Sequence, residues 1–421
     1  MLSSLQGAVK AGDLRKKILF TLLMFLVFRI GAHIPVPGVR LEAIESLLQQ
    51  GAFLGFFDVI SGGAFKKFAV FAMSITPYIN ASIIMQLLTV VIPKLEQLSK
   101  DGDDGRKKIT QYTRYGTVIL GFIQAWGITL GLSRFGGIEN PGIFTYFTIA
   151  VTLTAGTAFL MWLGEQITDK GIGNGISLII FAGIVSSIPG AVVNLSKYLT
   201  AGSTNWLRVV ALLAIAILVI IAVIIIQEGQ RRIPVQYAKR VVGRKVYGGQ
   251  STHIPLKVNQ AGVIPIIFAS SLLMFPVTIA SYFKGNAAAD FITNFLRWGG
   301  PANTIFYALL IVGFTFFYTA ITFNPSDIAD NIKKYGGFIP GLRPGKPTAD
   351  YLSKVTYRLN LSGAVFLALI AVLPTLVLLT TKIPNVQFGG TSLLIVVGVA
   401  LETMKQIESH LVMRHYQGFM K

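Results

Sequence analysis

Long apolar stretches, separated by short polar segments, run through almost the whole chain. A helix needs roughly 20 apolar residues to cross the ~30 Å hydrocarbon core of a bilayer. The pattern predicts ten transmembrane helices, at residues 16–35, 68–92, 112–132, 143–163, 174–193, 207–226, 258–282, 304–323, 357–379 and 389–407. The chain is therefore predicted to be an all-α polytopic membrane protein.

Composition agrees with this interpretation, and charge sets the orientation. Hydrophobic residues make up 53% of the chain and charged residues 13%, while the net charge is +19. Most of the 37 lysines and arginines lie in segments on the same side as the termini, notably residues 227–257 and 324–358. The positive-inside rule then predicts that these loops and both termini are cytoplasmic. We interpret the charge as a topological signal rather than as nucleic-acid binding.

Ten spans divide into two sets of five that start on opposite sides of the membrane. Residues 1–200 would form one half, with helices 1–5, and residues 201–421 the other, with helices 6–10 and both large cytoplasmic loops. Halves of inverted topology place a translocation pathway at their interface, near the midplane. The predicted fold is therefore ten helices in two inverted halves.

Residues 55–65 (GFFDVISGGAF) are apolar but too short to cross a membrane. As a helix they would extend about 16 Å at 1.5 Å per residue. Asp58 and the following Lys66 and Lys67 would be costly against lipid. Two arrangements fit these properties: a re-entrant half-helix in a water-filled funnel, or an amphipathic helix on the outer surface.

Polar side chains follow the second and seventh predicted spans. Two interpretations are open: ordinary hydrogen bonding between helices, or a polar seam between two helices that must separate. The residues in question are Asn80, Ser82 and Gln86 in the second span, and Asn259, Gln260 and Ser270 in the seventh.

Several function classes are disfavoured by what the sequence lacks. The centres of the spans carry almost no carboxylate or histidine, which proton-coupled carriers need. Neither a Walker-type loop nor the H-E-x-x-H or G-x-S-x-G motif occurs, so neither an enzyme nor a metal site or cofactor is predicted. The Gly-rich residues 171–177 (GIGNGIS) lack the phosphate-loop lysine, and we interpret them as a turn capped by Asn174 or Ser177. The candidate functions are a passive channel, a secondary transporter with inverted repeats, and a structural or RNA-tethering membrane protein.

Six ordered motifs resemble those of the SecY/Sec61-alpha family, the central subunit of the Sec protein-conducting channel. They are TPYINASIIMQLLTVV, GIGNGIS, GQRRIPVQYAKR, STHIPLKVNQAGVIPIIFASS, FNPSDIADNIKKYGGFIPGLRPG and FGGTSLLIVVGVALE, which begin at residues 76, 171, 229, 251, 323 and 388. The resemblance implies two pseudo-symmetric halves hinged like a clamshell. It implies a translocon that passes unfolded secretory polypeptides across the plasma membrane and releases transmembrane segments sideways into lipid.

The resemblance also implies roles for four sets of residues. The pore ring would be Ile79, Ile83, Ile180, Ile184, Ile267 and Ile395. The plug would be Gly55, Phe56, Phe57, Asp58, Val59, Ile60, Ser61, Gly62 and Gly63. The polar residues of helices 2 and 7 listed above would line the lateral gate. A motor or ribosome would dock on Arg231, Arg232, Lys239, Arg240, Arg244, Lys245, Arg343 and Lys346.

Partners follow from the same resemblance. It implies small SecE-like and SecG-like membrane subunits, the SecA motor ATPase, and a ribosome whose RNA phosphates contact the basic loops. Signal sequences, nascent polypeptides and the lipid bilayer would be the other contacts. The implied location is the bacterial plasma membrane, and the energy for transport would come from a partner, since the chain is predicted to catalyse no covalent chemistry.

Overall fold

We describe a computed structural model of the chain, in which 78% of the described residues are helical. The residues that it describes are 12–42, 44, 58–134, 136–200, 205–237, 240–242, 245–247, 251–282, 287–296, 300–381 and 390–419. Gly55, Phe56 and Phe57 of the predicted plug, and Lys239 and Arg244 of the predicted docking set, lie outside these residues.

The described residues of the first part of the chain lie mainly in helices. Its long described helices are α1 (Gly12–Gly31), α2 (Thr76–Val91), α3 (Pro93–Lys100), α4 (Gly102–Arg134), α5 (Ile143–Lys170) and α6 (Gly175–Thr200). Helix α1 packs on α5 and α6, while α2 packs on α4 and α5. Helix α3 departs from α2 at an angle of 101°, because Pro93 follows Ile92, whose backbone is extended.

The second part of the chain combines helices with short strands. The elements are α7 (Trp206–Glu228), β1 (Gln230–Tyr237), β2 (Arg240–Val242), β3 (Lys245–Tyr247), β4 (Ser251–Lys257), α8 (Ile264–Tyr282), α9 (Ala287–Phe295), α10 (Pro301–Thr322), α11 (Pro325–Lys334), β5 (Gly337–Phe338), α12 (Lys346–Thr381) and α13 (Gly390–Phe419). Helix α10 packs against α8 and α12, and α7 packs against α13. The two parts meet where α2 and α4 contact α8, and where α6 contacts α13.

The chain is a multi-pass membrane protein by the length and composition of its helices. Among the described residues, six helices are long and apolar enough to span a bilayer: α4, α5, α6, α7, α10 and α12. The bent pair α2–α3 makes a seventh if it counts as one span. The predicted count of ten and the division after residue 200 stay predictions.

Two predicted spans begin later than their apolar runs indicated. Residues 68–75 form turns, and α2 starts only at Thr76. Phe68 and Ser74 have φ angles of 41° and 52°, and residues in this left-handed region cannot continue a right-handed helix. Residues 258–263 likewise precede α8, with Gly262 at φ 63°.

The two large basic loops fold together into one body with its own core, which we call the basic unit. Strand β1 pairs antiparallel with β4 on one side and with β5 on the other, so residues 337–338 join a sheet begun a hundred positions earlier. Alternate residues of β1 are buried, as expected for a sheet with one covered face. The core of the basic unit consists of Ile233, Val235, Leu256, Ile332, Ile339, Leu352 and Val355.

Candidate pore constriction and plug

Aliphatic side chains from four separate helices meet in one buried cluster. Ile180 and Ile184 of α6 and Ile395 of α13 are buried in it, and Ile79 of α2 and Ile267 of α8 pack against it. On α6 the two contributing positions lie on one face, since residues four apart share a helix face. The fold thus brings together all the predicted ring positions except Ile83, which is buried one turn after Ile79.

The predicted plug segment enters the same cluster. Val59 is buried there, Ile60 packs against it, and Ser61 is fully buried. This contact favours the re-entrant arrangement over a helix lying on the outer surface. The expected helix over residues 55–65 is wrong in its extent, because helical backbone ends at Ile60 and turns follow.

Two glycines explain why the helix stops in the plug. Gly62 and Gly63 have φ angles of 67° and 84°, which favour glycine and end a right-handed helix. The turn is then held by local bonds: Ser61 Oγ accepts from the Phe65 amide at 3.1 Å, and the Asp58 carboxylate accepts from the Lys66 amide at 2.7 Å. The described part of the predicted plug is therefore a short helical stretch, residues 58–60, followed by a compact turn.

Helix α6 receives the plug at a notch formed by Gly183. A Cβ atom placed on Gly183 would lie 2.3 Å from the carbonyl oxygen of Ile60 and 3.3 Å from the amide nitrogen of Gly62. The backbone of the predicted plug therefore touches the backbone of α6 directly, one residue before Ile184, a predicted ring position. The sequence analysis missed Gly183, although a glycine within an otherwise apolar helical run can have a packing reason of this kind.

Helices α2 and α8, which lie in the two spans that carry the predicted gate residues, contact each other. Asn80, Ser82 and Gln86 are half-buried on α2. Within the described residues, no side-chain hydrogen bond joins them to the polar residues of the seventh predicted span. Interhelical hydrogen bonding between the two polar sets is therefore not what holds this contact.

The polar residues near the start of α8 bond within their own segment instead. Asn259 is buried and donates through Nδ2 to the Gly262 carbonyl at 3.0 Å, and Ser270 donates to the Ile267 carbonyl at 2.9 Å. Asn259 Oδ1 and Gln260 Oε1 are buried with no partner among the described residues. Within the part of the chain that the structure describes, neither amide oxygen therefore bonds to α2.

Several predicted docking residues are exposed on the basic unit. Arg231 and Arg232 lie on β1, and Arg343 and Lys346 lie beside the start of α12. Because β1 pairs with β5, the two basic loops present these side chains on one folded body. Strand β2 contains Arg240 and strand β3 contains Lys245.

Arg343 sits in a turn with fixed geometry. Gly341 and Gly345 on either side have φ angles of 82° and 101°. The hydroxyl of Thr348, which is buried, donates to the Arg343 carbonyl at 2.9 Å. The backbone at Arg343 is therefore held in place at the surface of the basic unit.

The glycine-rich turn at residues 171–177 joins the two parts of the chain. Asn174 Oδ1 accepts from the Ser177 amide at 3.2 Å, so Asn174 is the cap of the two that the sequence offered. Gly173, at φ 87°, donates its amide to Gln406 Oε1 of α13 at 2.8 Å. The sequence pointed to the turn but not to this partner, which lies 233 positions away.

Comparison with known proteins identifies the family. The SecY family profile matches residues 69–404. The protein translocase subunit SecY of Bacillus subtilis is 52% identical over 431 residues, with 100% of both chains covered. That of Escherichia coli is 47% identical over 419 residues, covering 97% of this chain and 94% of the relative.

Solved structures show the same fold at low identity. The structure of a protein-conducting channel matches with a TM-score of 0.68 at 19% identity, covering 94% of this chain and 92% of that one. Sec61 in the canine ribosome–channel complex from the endoplasmic reticulum matches with a TM-score of 0.66 at 18% identity, covering 94% and 92%. With the profile match and near-half identity over the full length, this chain belongs to the SecY family.

Proposed function

We propose that this chain is the pore-forming subunit of a protein translocase in the bacterial plasma membrane. It would pass unfolded secretory polypeptides across the bilayer and release transmembrane segments sideways into lipid. The observation that carries the proposal is the buried apolar cluster that isoleucines of α2, α6, α8 and α13 share with Val59 and Ile60. The family's relatives are named as translocase subunits, and the proposal extends that activity to this chain.

An aliphatic constriction suits a polypeptide better than a small solute. Isoleucine side chains offer no ligand to an ion and close a pore by excluding water. They can part around an extended chain without selecting any of its side chains. A secondary transporter would need polar groups converging on a solute near the midplane, whereas the cluster here is apolar.

The plug would seal the outer side of this ring at rest. Its burial in the cluster that contains Ile184 and its close approach to Gly183 support a docked state. The turns that follow Ile60 in place of helix support displacement as a small unit, because little secondary structure has to be broken.

The α2–α8 contact would be the lateral gate. Helices joined by many interhelical hydrogen bonds resist separation, and the described polar residues make none across this contact. The buried oxygens of Asn259 and Gln260 also make no hydrogen bond across this contact among the described residues. An apolar signal sequence entering between α2 and α8 would hold the gate open and leave toward lipid.

The basic unit would lie in the cytoplasm and dock the partner that supplies energy. Arg231 and Arg232 are exposed, and RNA phosphates or an acidic protein surface would bind them through charge. A structural relative was solved in a ribosome–channel complex, which supports a ribosome as one partner. We extend the proposal to the SecA motor and to SecE-like and SecG-like subunits, with both termini of the chain cytoplasmic and no covalent chemistry in the chain itself.

A single-cysteine crosslink tests the function. The chain contains no cysteine, so Ile83→Cys can be paired with one cysteine in the mature part of a stalled secretory precursor. Ile84→Cys is the matched control, because Ile84 follows Ile83 on α2 but is 44% exposed. We expect a disulfide from position 83 that depends on the signal sequence and is weaker from position 84. With the precursor engaged and the introduced thiol shown to be reactive, failure to crosslink would remove position 83 from the pathway and revive the transporter hypothesis.

A further inference from the structure

One arginine bridges α1, the plug and α6. Nη1 of Arg29 donates to the carbonyl oxygen of Gly62 at 2.8 Å and to the hydroxyl oxygen of Ser186 at 2.9 Å. The Ser186 hydroxyl in turn donates to the Gly183 carbonyl at 2.7 Å. Hydrogen bonds thus run from α1 through α6 to the glycine against which the plug rests.

The position of Arg29 argues for a specific role. It lies in the last turn of an apolar helix, where a cation interacts favourably with the helix dipole but is costly if it faces lipid. Its guanidinium instead faces two oxygens, one of them on the plug backbone. Hydrogen bonds from a charged donor are roughly twice as strong as neutral ones.

The contact between Arg29 and the plug also requires a glycine at position 62. A Cβ on Gly62 would lie 2.9 Å from Ser186 Oγ and 3.3 Å from Arg29 Nη1, so a side chain at this position would push the plug away from both groups. Gly62 therefore serves two purposes: it permits the left-handed turn and it lets the arginine reach the carbonyl.

We propose that Arg29 is a positioning residue that latches the plug in its closed position, with Ser186 as the second anchor of the latch. The inference rests on the proposed function only in taking residues 58–63 as a plug. Because α1, the plug and α6 all precede residue 201, the latch does not cross the α2–α8 contact. Separation of α2 from α8 therefore breaks neither of these two hydrogen bonds directly, and we treat release of the plug as a distinct step.

The test measures plug displacement directly. Ser61 is fully buried, and the chain has no native cysteine, so Ser61→Cys reports the displaced plug through reaction with a membrane-impermeant maleimide added from the outer side. The channel is assayed in membranes with its partner subunits and without precursor. Arg29→Met removes both hydrogen bonds, Arg29→Lys retains a charge and a donor, and Ser186→Ala removes one anchor.

Ser187→Ala is the matched control. Ser187 donates to the Ile184 carbonyl at 2.7 Å, as Ser186 does to the Gly183 carbonyl, but Arg29 bonds only Ser186 of the two. We expect labelling to accelerate by about tenfold or more in Arg29→Met, by less in Ser186→Ala and Arg29→Lys, and not at all in Ser187→Ala.

The remaining outcomes overturn the latch. Equal labelling in Arg29→Met and the parent, with both complexes intact, would show that the arginine does not hold the plug. Equal acceleration in Ser186→Ala and Ser187→Ala would assign the effect to general loosening of α6. If Arg29→Met fails to assemble, the comparison of Ser186→Ala with Ser187→Ala still decides whether the latch holds the plug. This readout needs no translocation, so a negative labelling result would leave the channel proposal standing. A negative crosslinking result would likewise leave the latch standing.

Discussion

Replacement of Gly183 by alanine should open the channel at rest. The added methyl group would lie 2.3 Å from the Ile60 carbonyl oxygen, against about 3.4 Å for ordinary contact. The atom in the way belongs to the plug backbone rather than to a flexible side chain, so rotation of a side chain cannot relieve the clash. The plug would have to move by about 1 Å while α6 stays in place.

The size of the effect follows from this overlap. Overfilling a packed site by one methyl group destabilises it by about 1–3 kcal/mol. If the clash exists only when the plug is docked, the closed state loses that amount relative to the displaced state. The population of displaced plugs should then rise roughly 5- to 150-fold.

Resting ion conductance in planar bilayers, without precursor, measures this population. Gly190→Ala is the control, since Gly190 lies on the same helix with no atom within 4 Å of its added Cβ. Both variants gain about 1 kcal/mol of helix propensity in α6, so the difference between them isolates the clash. Equal conductance in the two variants would refute the docking of the plug at Gly183.

Three further predictions concern other parts of the molecule. Burial raises the pKa of the Asp58 carboxyl, because its effect outweighs the backbone hydrogen bond and the lysine charges that lower this pKa. The Asp58 carboxyl therefore binds a proton more tightly in the docked plug than in a displaced, solvated plug. Resting conductance should therefore increase as pH rises from the ordinary carboxyl range through the raised pKa, and Asp58→Asn should flatten that profile; an unchanged profile would contradict the assignment. Arg343→Glu should slow motor-driven export roughly tenfold, whereas Arg358→Glu, at an exposed position, should not; equal defects would argue against docking at the turn. Gln406→Leu should remove the bond to the Gly173 amide and lower the stability of the detergent-solubilised complex by about 1 kcal/mol, and an unchanged melting temperature would show that this joint contributes nothing.

The plug shows how much of a segment's structure its local sequence pattern can predict. Its apolar character and its length of eleven residues predicted a segment that enters the membrane region without crossing it. Its helical extent was wrong, because the left-handed backbone at Gly62 and Gly63 is one of several conformations that glycine allows. Which one it adopts depends on the groups that receive the segment, and here these are Gly183, Arg29 and Ser186.

The basic loops illustrate the opposite case. Their charge predicted that they lie in the cytoplasm, and the family resemblance implied docking residues, but neither showed that residues 337–338 would pair with β1. Two-residue strands carry almost no periodic signal, and pairing partners a hundred positions apart are selected by the shared core around Ile233 and Leu352.

Hydropathy and charge were sufficient to predict the class of protein and the approximate position of its spans. Both are properties of contiguous segments, so they can be evaluated without knowing which other segments pack against them. Tertiary packing determined which side chains contact one another. The convergence of Ile79, Ile184, Ile267 and Ile395, and the arginine that reaches the plug, depend on how helices pack against one another. The geometry of that packing is set by side chains far apart in the sequence, whose shapes must interlock at close to crystalline density.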